Sequence, residues 1–164
     1  MPYKVSTLLY CFNHRDEVLL LERAQEPNLG LWSPCGGKLN TEVGESPYAC
    51  ACREAQEELQ LRISEPDLHL NGLVSEHGYE GQNHWLMFLF EVKLRLTELP
   101  PPHREGRFGF FPREALDGLK LPQTDRDRIW PWFWQYRGGF FAAHCRCLAA
   151  GRYEWTLEEA WGGK

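Results

Sequence analysis

From Ser46 to Leu61 the chain carries a helix that is pinned at one end and two-faced along its length. Ser46 is an N-cap residue whose hydroxyl can accept an orphan N–H of the first turn. Pro47 suits the first helical position, and neither glycine nor proline recurs before Leu61. At about 100° per residue, Tyr48, Ala51, Cys52, Ala55 and Leu59 fall on one stripe about 100° wide. Glu57, Glu54 and Glu58 lie at about 180°, 240° and 280° from Tyr48, gathered on one flank beside that stripe. A short helix of this kind is marginal alone in water, so the rest of the chain must supply an apolar layer for the stripe.

The rest reads mainly as strands. Val5 to Phe12 is β-branched and aromatic, Asn13-His14-Arg15-Asp16 is rich in turn formers, and Val18 to Leu21 is apolar again, which predicts a hairpin opening a sheet. Leu31-Trp32-Ser33-Pro34-Cys35-Gly36-Gly37-Lys38 brings an apolar pair up to two glycines, where backbone can approach a ligand closely. Leu68 to Leu73 and His84 to Leu96 predict a second run of sheet. Pro100-Pro101-Pro102 forces an extended loop that ends at Glu105-Gly106, before the aromatic strand Phe108 to Phe111. Thr124 with Asp127 predicts a capping box and a helix toward Arg137, disturbed by Pro131 and stopped by Gly138-Gly139, with its tryptophans in the core. Phe140 to Leu148 and Arg152 to Leu157 predict a terminal hairpin. With no internal repeat and no linker, the expectation is one α+β domain.

Composition narrows the class. A chain of 164 residues, 43% hydrophobic and 13% aromatic, can bury a core and is not disordered. Its net charge of −5 gives no basic field for a nucleic-acid polymer or an anionic membrane. The apolar run Trp85 to Phe90 is far shorter than a bilayer span, and Met1-Pro2-Tyr3-Lys4 leads into strand-like sequence without a signal core, so the expected compartment is the cytoplasm. The six cysteines are then read as reduced thiols. Cys145-Arg146-Cys147 is spaced too closely for the usual zinc pair, and Cys50 and Cys52 point about 200° apart on a helix.

Three carboxylates on one helix flank raise one another's pKa unless something positive sits among them, and oxygen-only ligands grouped this way suit a hard divalent cation. Taken alone, Arg53-Glu54-Ala55-Gln56-Glu57-Glu58 is as ordinary as any solvated helix face carrying an i, i+4 ion pair. Its surroundings change the reading. Gly36-Gly37-Lys38 lies upstream, and Gly44-Glu45 sits just before the cap. From Lys38 through Leu61 there are two basic and five acidic residues, so more than half of the net charge is local to this segment.

The segment from Gly37 to Leu61 resembles the Nudix box: glycine, five residues, Glu, seven residues, Arg-Glu, an apolar residue, any residue, Glu-Glu, any residue, glycine, an apolar residue. From Glu45 the spacing matches, through Arg53-Glu54, Ala55, Glu57-Glu58 and Leu61. Two departures stand out. Seven residues separate Gly37 from Glu45 in place of five, a two-residue insertion near Asn40-Thr41, and the box's last glycine is Gln60. The resemblance implies a Nudix-like α/β/α sandwich, a mixed sheet between helices, with a hydrolase domain over residues 1–137 and a C-terminal extension over 138–164 packed on it.

The resemblance further implies hydrolysis of the pyrophosphate linkage in a nucleoside diphosphate derivative, with Mg²⁺, or Mn²⁺, as cofactor. The metal ligands would be Glu54, Glu57 and Glu58 with the backbone carbonyl of Gly36. Arg53 would orient the carboxylates, and Glu45 would hold Arg53 or a water on the metal. Glu54, Glu57 and Glu105 are the candidates for the general base. Lys38 and Arg104 are candidate phosphate contacts, and Trp32, His84, Trp85 and Phe108 are candidates to stack a base, although each aromatic is as readily core. An oxidised nucleoside triphosphate such as 8-oxo-dGTP is the first substrate expected, by analogy with the MutT-like group. ADP-ribose, dinucleoside polyphosphates and NAD(H) compete with it. A catalytically silent Nudix-fold domain that binds a nucleotide or a protein is the alternative of another class. The chain is expected as a monomer or homodimer, with Trp130-Pro131-Trp132-Phe133-Trp134 and the terminal hairpin as the candidate contact.

Overall fold

In the computed structural model, which describes residues 2–26, 28–79, 81, 83–102 and 104–163, the sheet is organised around β1 (Tyr3–Asn13). β1 runs parallel to β6 (Asn83–Leu96), from Tyr3 opposite His84 to Asn13 opposite Leu96. β6 pairs antiparallel with β5 (Leu68–Tyr79), β5 lies parallel to β8 (Phe140–Cys147), and β8 is antiparallel to the edge strand β9 (Tyr153–Trp161). The strands of the terminal segment therefore extend the same sheet.

On its other side β1 forks. Ser6 to Leu9 pair with β4 (Cys35–Lys38), whereas only Phe12 meets Val18 of β2 (Val18–Arg23). β2 then pairs with β3 (Trp32–Ser33) and β7 (Gly106–Phe111). The expected opening hairpin thus exists only at its turn. Its inner positions are taken by the glycine strand, and a Cβ at Gly36 would run into the backbone carbonyl of Thr7, so a side chain there would push the two strands apart.

α1 (Pro47–Leu59) starts as the sequence predicts, with Ser46 Oγ accepting from the Ala49 N–H at 3.0 Å. It ends on Gln60 in the left-handed conformation, φ +52°, at the box's glycine position. Gln60 fills the geometrical role and bears the strain, on the order of 1 kcal/mol, that glycine avoids. Ala51, Ala55 and Leu59 pack on Leu9, Cys11, Leu19, Leu21, Phe90 and Val92. The buried face is rotated from the predicted stripe: Cys50 and Glu54 are buried, while Tyr48 and Cys52 are half-exposed. The helix leans its acidic flank toward the sheet.

The opposite face of the sheet is covered by α2 (Trp130–Gln135), whose Trp130 and Phe133, with Ile129, pack on Tyr10, Phe12, Val74, Leu89 and Phe141. The architecture is the expected mixed sheet between helices. The late helix departs from expectation at its start. Thr124 makes no cap; its side chain is buried and bonds to Glu76. Asp125–Ile129 form a π turn leading into α2. Pro131 explains the widening, because it has no N–H to donate and its ring crowds the carbonyl four residues earlier. The aromatic run is core: Trp130 and Phe133 are buried, and Trp132 and Trp134 pack against them. All six cysteines are free, and no helix among the described residues is long and apolar enough to cross a membrane.

Candidate active site

The residues singled out on α1 meet the glycine strand at one end of the sheet. Arg53 is the hub. Its Nε donates to Glu45 Oε2 at 2.8 Å and its Nη2 to Glu45 Oε1 at 2.8 Å, a two-pronged pairing. Nη1 reaches Glu54 at 3.0 Å and Glu57 at 3.2 Å, and Nη2 also donates to the Lys38 carbonyl at 3.2 Å. Together with the Asn40 N–H, Arg53 holds the Glu45 carboxyl down to about 2, so Glu45 stays ionised as the tie between the inserted loop and the helix. The insertion itself folds into a short 3₁₀ turn, Thr41–Val43, closed by Gly44 at φ +66°. It bulges away without disturbing the spacing from Glu45 onward.

Glu54 and Glu58 share a side-chain hydrogen bond and are both pushed up, Glu58 to about 8. Burial is the largest cause for each. At Glu58 the charges of Glu54 and Glu105 add to it, against a compensating bond from the Gly36 N–H; at Glu54, Arg53 compensates. The proline-rich loop has thus delivered Glu105 to the same site across a wide sequence gap. Gly37 completes the cradle, since a Cβ there would collide with the Glu54 carboxylate. Two hydrogen-bonded carboxylates pushed up by burial form an oxygen pair suited to a hard divalent cation. Among the described residues no three His, Cys, Asp or Glu side chains are grouped to hold a metal ion. Glu57 is drawn toward Arg53, and the third oxygen would come through its rotation or from backbone.

The nucleobase and phosphate candidates do not gather in one place. The ammonium groups of Lys38 and Lys4 both lie over the ring of Trp85 of β6, at 5.9 and 5.8 Å from its centroid. Trp32 is held edge-on to Phe111 at 4.9 Å, under the Arg107 guanidinium. His84 stacks on His77, Phe108 joins the layer beneath α1, and Arg104 sits in an exposed turn. Cys35 is a buried filler whose thiol is pushed up by desolvation.

Two features escape sequence reading. Cys50, whose only local signal is its place in the first turns of α1, puts its thiol 3.5 Å from Thr7 Oγ1 and donates to the Gly37 carbonyl at 3.7 Å. It also receives Arg53 Nη2 at 3.7 Å, so one neutral thiol, pushed up to about 11 by burial, joins β1, β4 and the arginine. Glu76 of β5 is buried, bonded to Thr124 and faced by Asp125; the only signal for it is an acid in phase with Val74 on a core-facing strand.

Arg53→Lys tests the hub. A single ammonium cannot serve Glu45, Glu54, Glu57 and the Lys38 carbonyl together. The variant is expected to lose about 10- to 100-fold in kcat, with the Glu45 carboxyl rising from about 2 toward its ordinary value in an NMR titration. An unmoved Glu45 would show that the pairing does not hold the loop.

Comparison with known proteins places this geometry in a family. The NUDIX domain model matches residues 2–133. Among solved structures, the MutT protein of Bacillus halodurans superposes with a TM-score of 0.72 over 94% of this chain and 97% of that one, at 21% identity. A MutT NUDIX hydrolase of Burkholderia pseudomallei is 26% identical, with a TM-score of 0.62 over 79% of this chain and 95% of its own. The NUDIX domain of Shewanella oneidensis NrtR, solved in complex with ADP ribose, is 16% identical, with a TM-score of 0.65, and 79% of this chain and 85% of that one are covered. The family match runs from the start of β1 into α2 and contains the whole Arg53-centred cluster, and the chain belongs to the NUDIX domain family, as one of its pyrophosphohydrolases.

Proposed function

We propose that this hydrolase cleaves the pyrophosphate linkage of a nucleoside diphosphate derivative with Mg²⁺, replaceable by Mn²⁺, and that its first substrate is an oxidised nucleoside triphosphate such as 8-oxo-dGTP. The observation that carries the proposal is the Glu54 and Glu58 pair, hydrogen-bonded to each other and pushed up chiefly by burial, beside Gly36 and Gly37. Nudix hydrolases generally use divalent metals; bound here, the cation would neutralise phosphate oxygens and acidify water. Glu54, Glu58, a reoriented Glu57 and the Gly36 carbonyl would hold it. Arg53 keeps Glu54 and Glu57 aligned, and Glu45 keeps Arg53 in place.

For the proton taken from the attacking water the candidates are Glu54, Glu57 and Glu105. Glu105 has the advantage of approaching Glu58 from a loop outside α1. Lys38 and Trp85 lie together and would contact the substrate, and Trp32 would line the approach beside Phe111. The net charge of −5 favours small nucleotides over a nucleic-acid polymer or a membrane surface, and we assign a cytoplasmic monomer or homodimer. We also divide the chain into a hydrolase domain over residues 1–137 and an extension over 138–164, a division supported by the extension's own hairpin docking through β8 onto β5.

A panel of 8-oxo-dGTP, dGTP, ATP, ADP-ribose, NADH and a dinucleoside tetraphosphate, assayed with Mg²⁺, ranks the substrates. The expected result is a kcat/KM for 8-oxo-dGTP about tenfold or more above dGTP, abolished by EDTA and restored by Mg²⁺ or Mn²⁺. Equal or faster cleavage of another member replaces the substrate assignment. Absence of turnover across the panel replaces catalysis with binding alone.

A further inference from the structure

We propose that Lys4, Lys38 and Trp85 form a phosphoryl-binding subsite on the face of the sheet opposite the glutamates, and that this subsite takes a phosphate group remote from the bond being cleaved. The inference rests on the hydrolase reading for its substrate arm and on geometry for its existence.

The three residues come together through strand register. Lys4 stands opposite Trp85 in the parallel pairing of β1 with β6, and Lys38 stands opposite Ser6, two residues further along β1 on the same face. Both ammonium groups consequently converge on one indole, at 5.8 and 5.9 Å from its centroid. Among the described residues neither makes a salt bridge with a carboxylate. The nearest acid in register is Glu76, opposite Trp85 on β5, and it is buried and bonded to Thr124. Two cations brought together on an aromatic surface in a protein of net charge −5, with no protein anion between them, make a place for an anion from outside. Lys38 is exposed, and Lys4 and Trp85 are half-exposed, so a ligand can reach all three.

Position gives the anion its identity. Successive side chains of a strand point to opposite faces. The Gly37 side faces the Glu54 carboxylate, so the next residue, Lys38, faces away from it toward Trp85. Among the described residues β4 pairs only with β1, so its other edge lies between the two faces. A ligand with phosphates at the glutamate side can turn over that edge and place another phosphate between the lysines. A lone nucleobase fits less well, because the ammonium groups already occupy the surroundings of the ring. The phosphate could belong to the substrate or be free pyrophosphate, and the chemistry of recognition is the same.

The test uses the full chain and inorganic tripolyphosphate in metal-free buffer, with binding followed by calorimetry for wild type, Lys4→Ala, Lys38→Ala, the double variant and Trp85→Phe. Each lysine substitution is expected to weaken binding about tenfold, the double variant about a hundredfold, and added salt is expected to weaken wild-type binding steeply. Melting temperatures report whether the variants fold. A rise in KM for the cleaved nucleotide that tracks the loss of tripolyphosphate affinity assigns the subsite to the substrate. An unchanged KM, with loss of inhibition by added pyrophosphate, assigns it to a free anion. Lost tripolyphosphate binding in a protein that hydrolyses no nucleotide keeps the subsite and overturns the hydrolase reading. Wild-type affinity for tripolyphosphate within twofold in the double variant overturns the subsite.

Discussion

Glu58→Gln is expected to lower kcat by a factor on the order of a thousand or more at saturating Mg²⁺, with the fold intact. Glutamine keeps the shape of the side chain and can still accept from the Gly36 N–H, so packing is preserved. What it removes is the negative charge. In the metal-free protein that charge is a liability, because burial, with the charges of Glu54 and Glu105 added, pushes Glu58 up to about 8. The variant therefore carries a second readout with the opposite sign. A carboxyl whose folded pKa lies above its unfolded one contributes stability fully below pH 4.5 and loses it as pH rises toward 8. The metal-free Glu58→Gln protein should accordingly melt higher than wild type at pH 8, and the same at pH 4. Lower activity together with higher metal-free stability identifies a group held against its own electrostatics for the reaction. Unchanged turnover, with EDTA inert, would remove the carboxylate pair from the chemistry.

The second large effect lies in the interior on the other face. Glu76 is 4% exposed, bonded to Thr124 and faced by Asp125; burial is the main cause that pushes Glu76 to about 8 and Asp125 to about 7. Burial, with the charge of Asp125 added, also raises the Tyr10 hydroxyl beneath the late helix. Both acids are therefore neutral in the folded protein at pH 5 and ionised in the unfolded chain above their ordinary values. Stability is present in full below about pH 4 and drains away as pH climbs through 7 and 8. Glu76→Gln keeps a partner for Thr124 and cannot ionise. The drop in stability between pH 5 and pH 8, on the order of 2 kcal/mol from this group in wild type, should largely vanish in the variant when urea unfolding is measured at the two values. Equal pH slopes would mean that Glu76 is ionised and paired in the folded state.

The parts of this molecule that were legible beforehand are the local ones. Ser46, Pro47 and the period of Tyr48 to Leu59 specify α1, and the spacing of Arg53, Glu54, Glu57 and Glu58 specifies the acidic flank, because both depend on residues within a turn or two of one another. The inward lean of the flank was not legible. It depends on Gly37, whose missing side chain makes room for Glu54. The same holds for Thr124, which carries a cap signal but spends its hydroxyl on Glu76, a residue 48 positions away in the chain. Lys4 offers no local sign of a role, since it meets Trp85 only through a parallel register that no short segment encodes. For Thr124 with Glu76 and for Trp85 with Lys4, sequence reading named one half of the pair and had no means to name the other.

The parallel pairing of β1 with β6 also sets a schedule for the chain as it is made. β1 is apolar on both faces and leaves the ribosome well before β6, so its longest partner cannot form until Asn83–Leu96 has been synthesised. Closing so large a loop is entropically slow, whereas β5 and β6 are neighbours in the chain and can pair at once. The hairpin of β5 and β6 is the template on which the N-terminal strand docks from one side and β8 from the other. Until that template exists, the β6-facing edge of β1 is open, and the nascent protein is most exposed to aggregation while that edge waits for its partner.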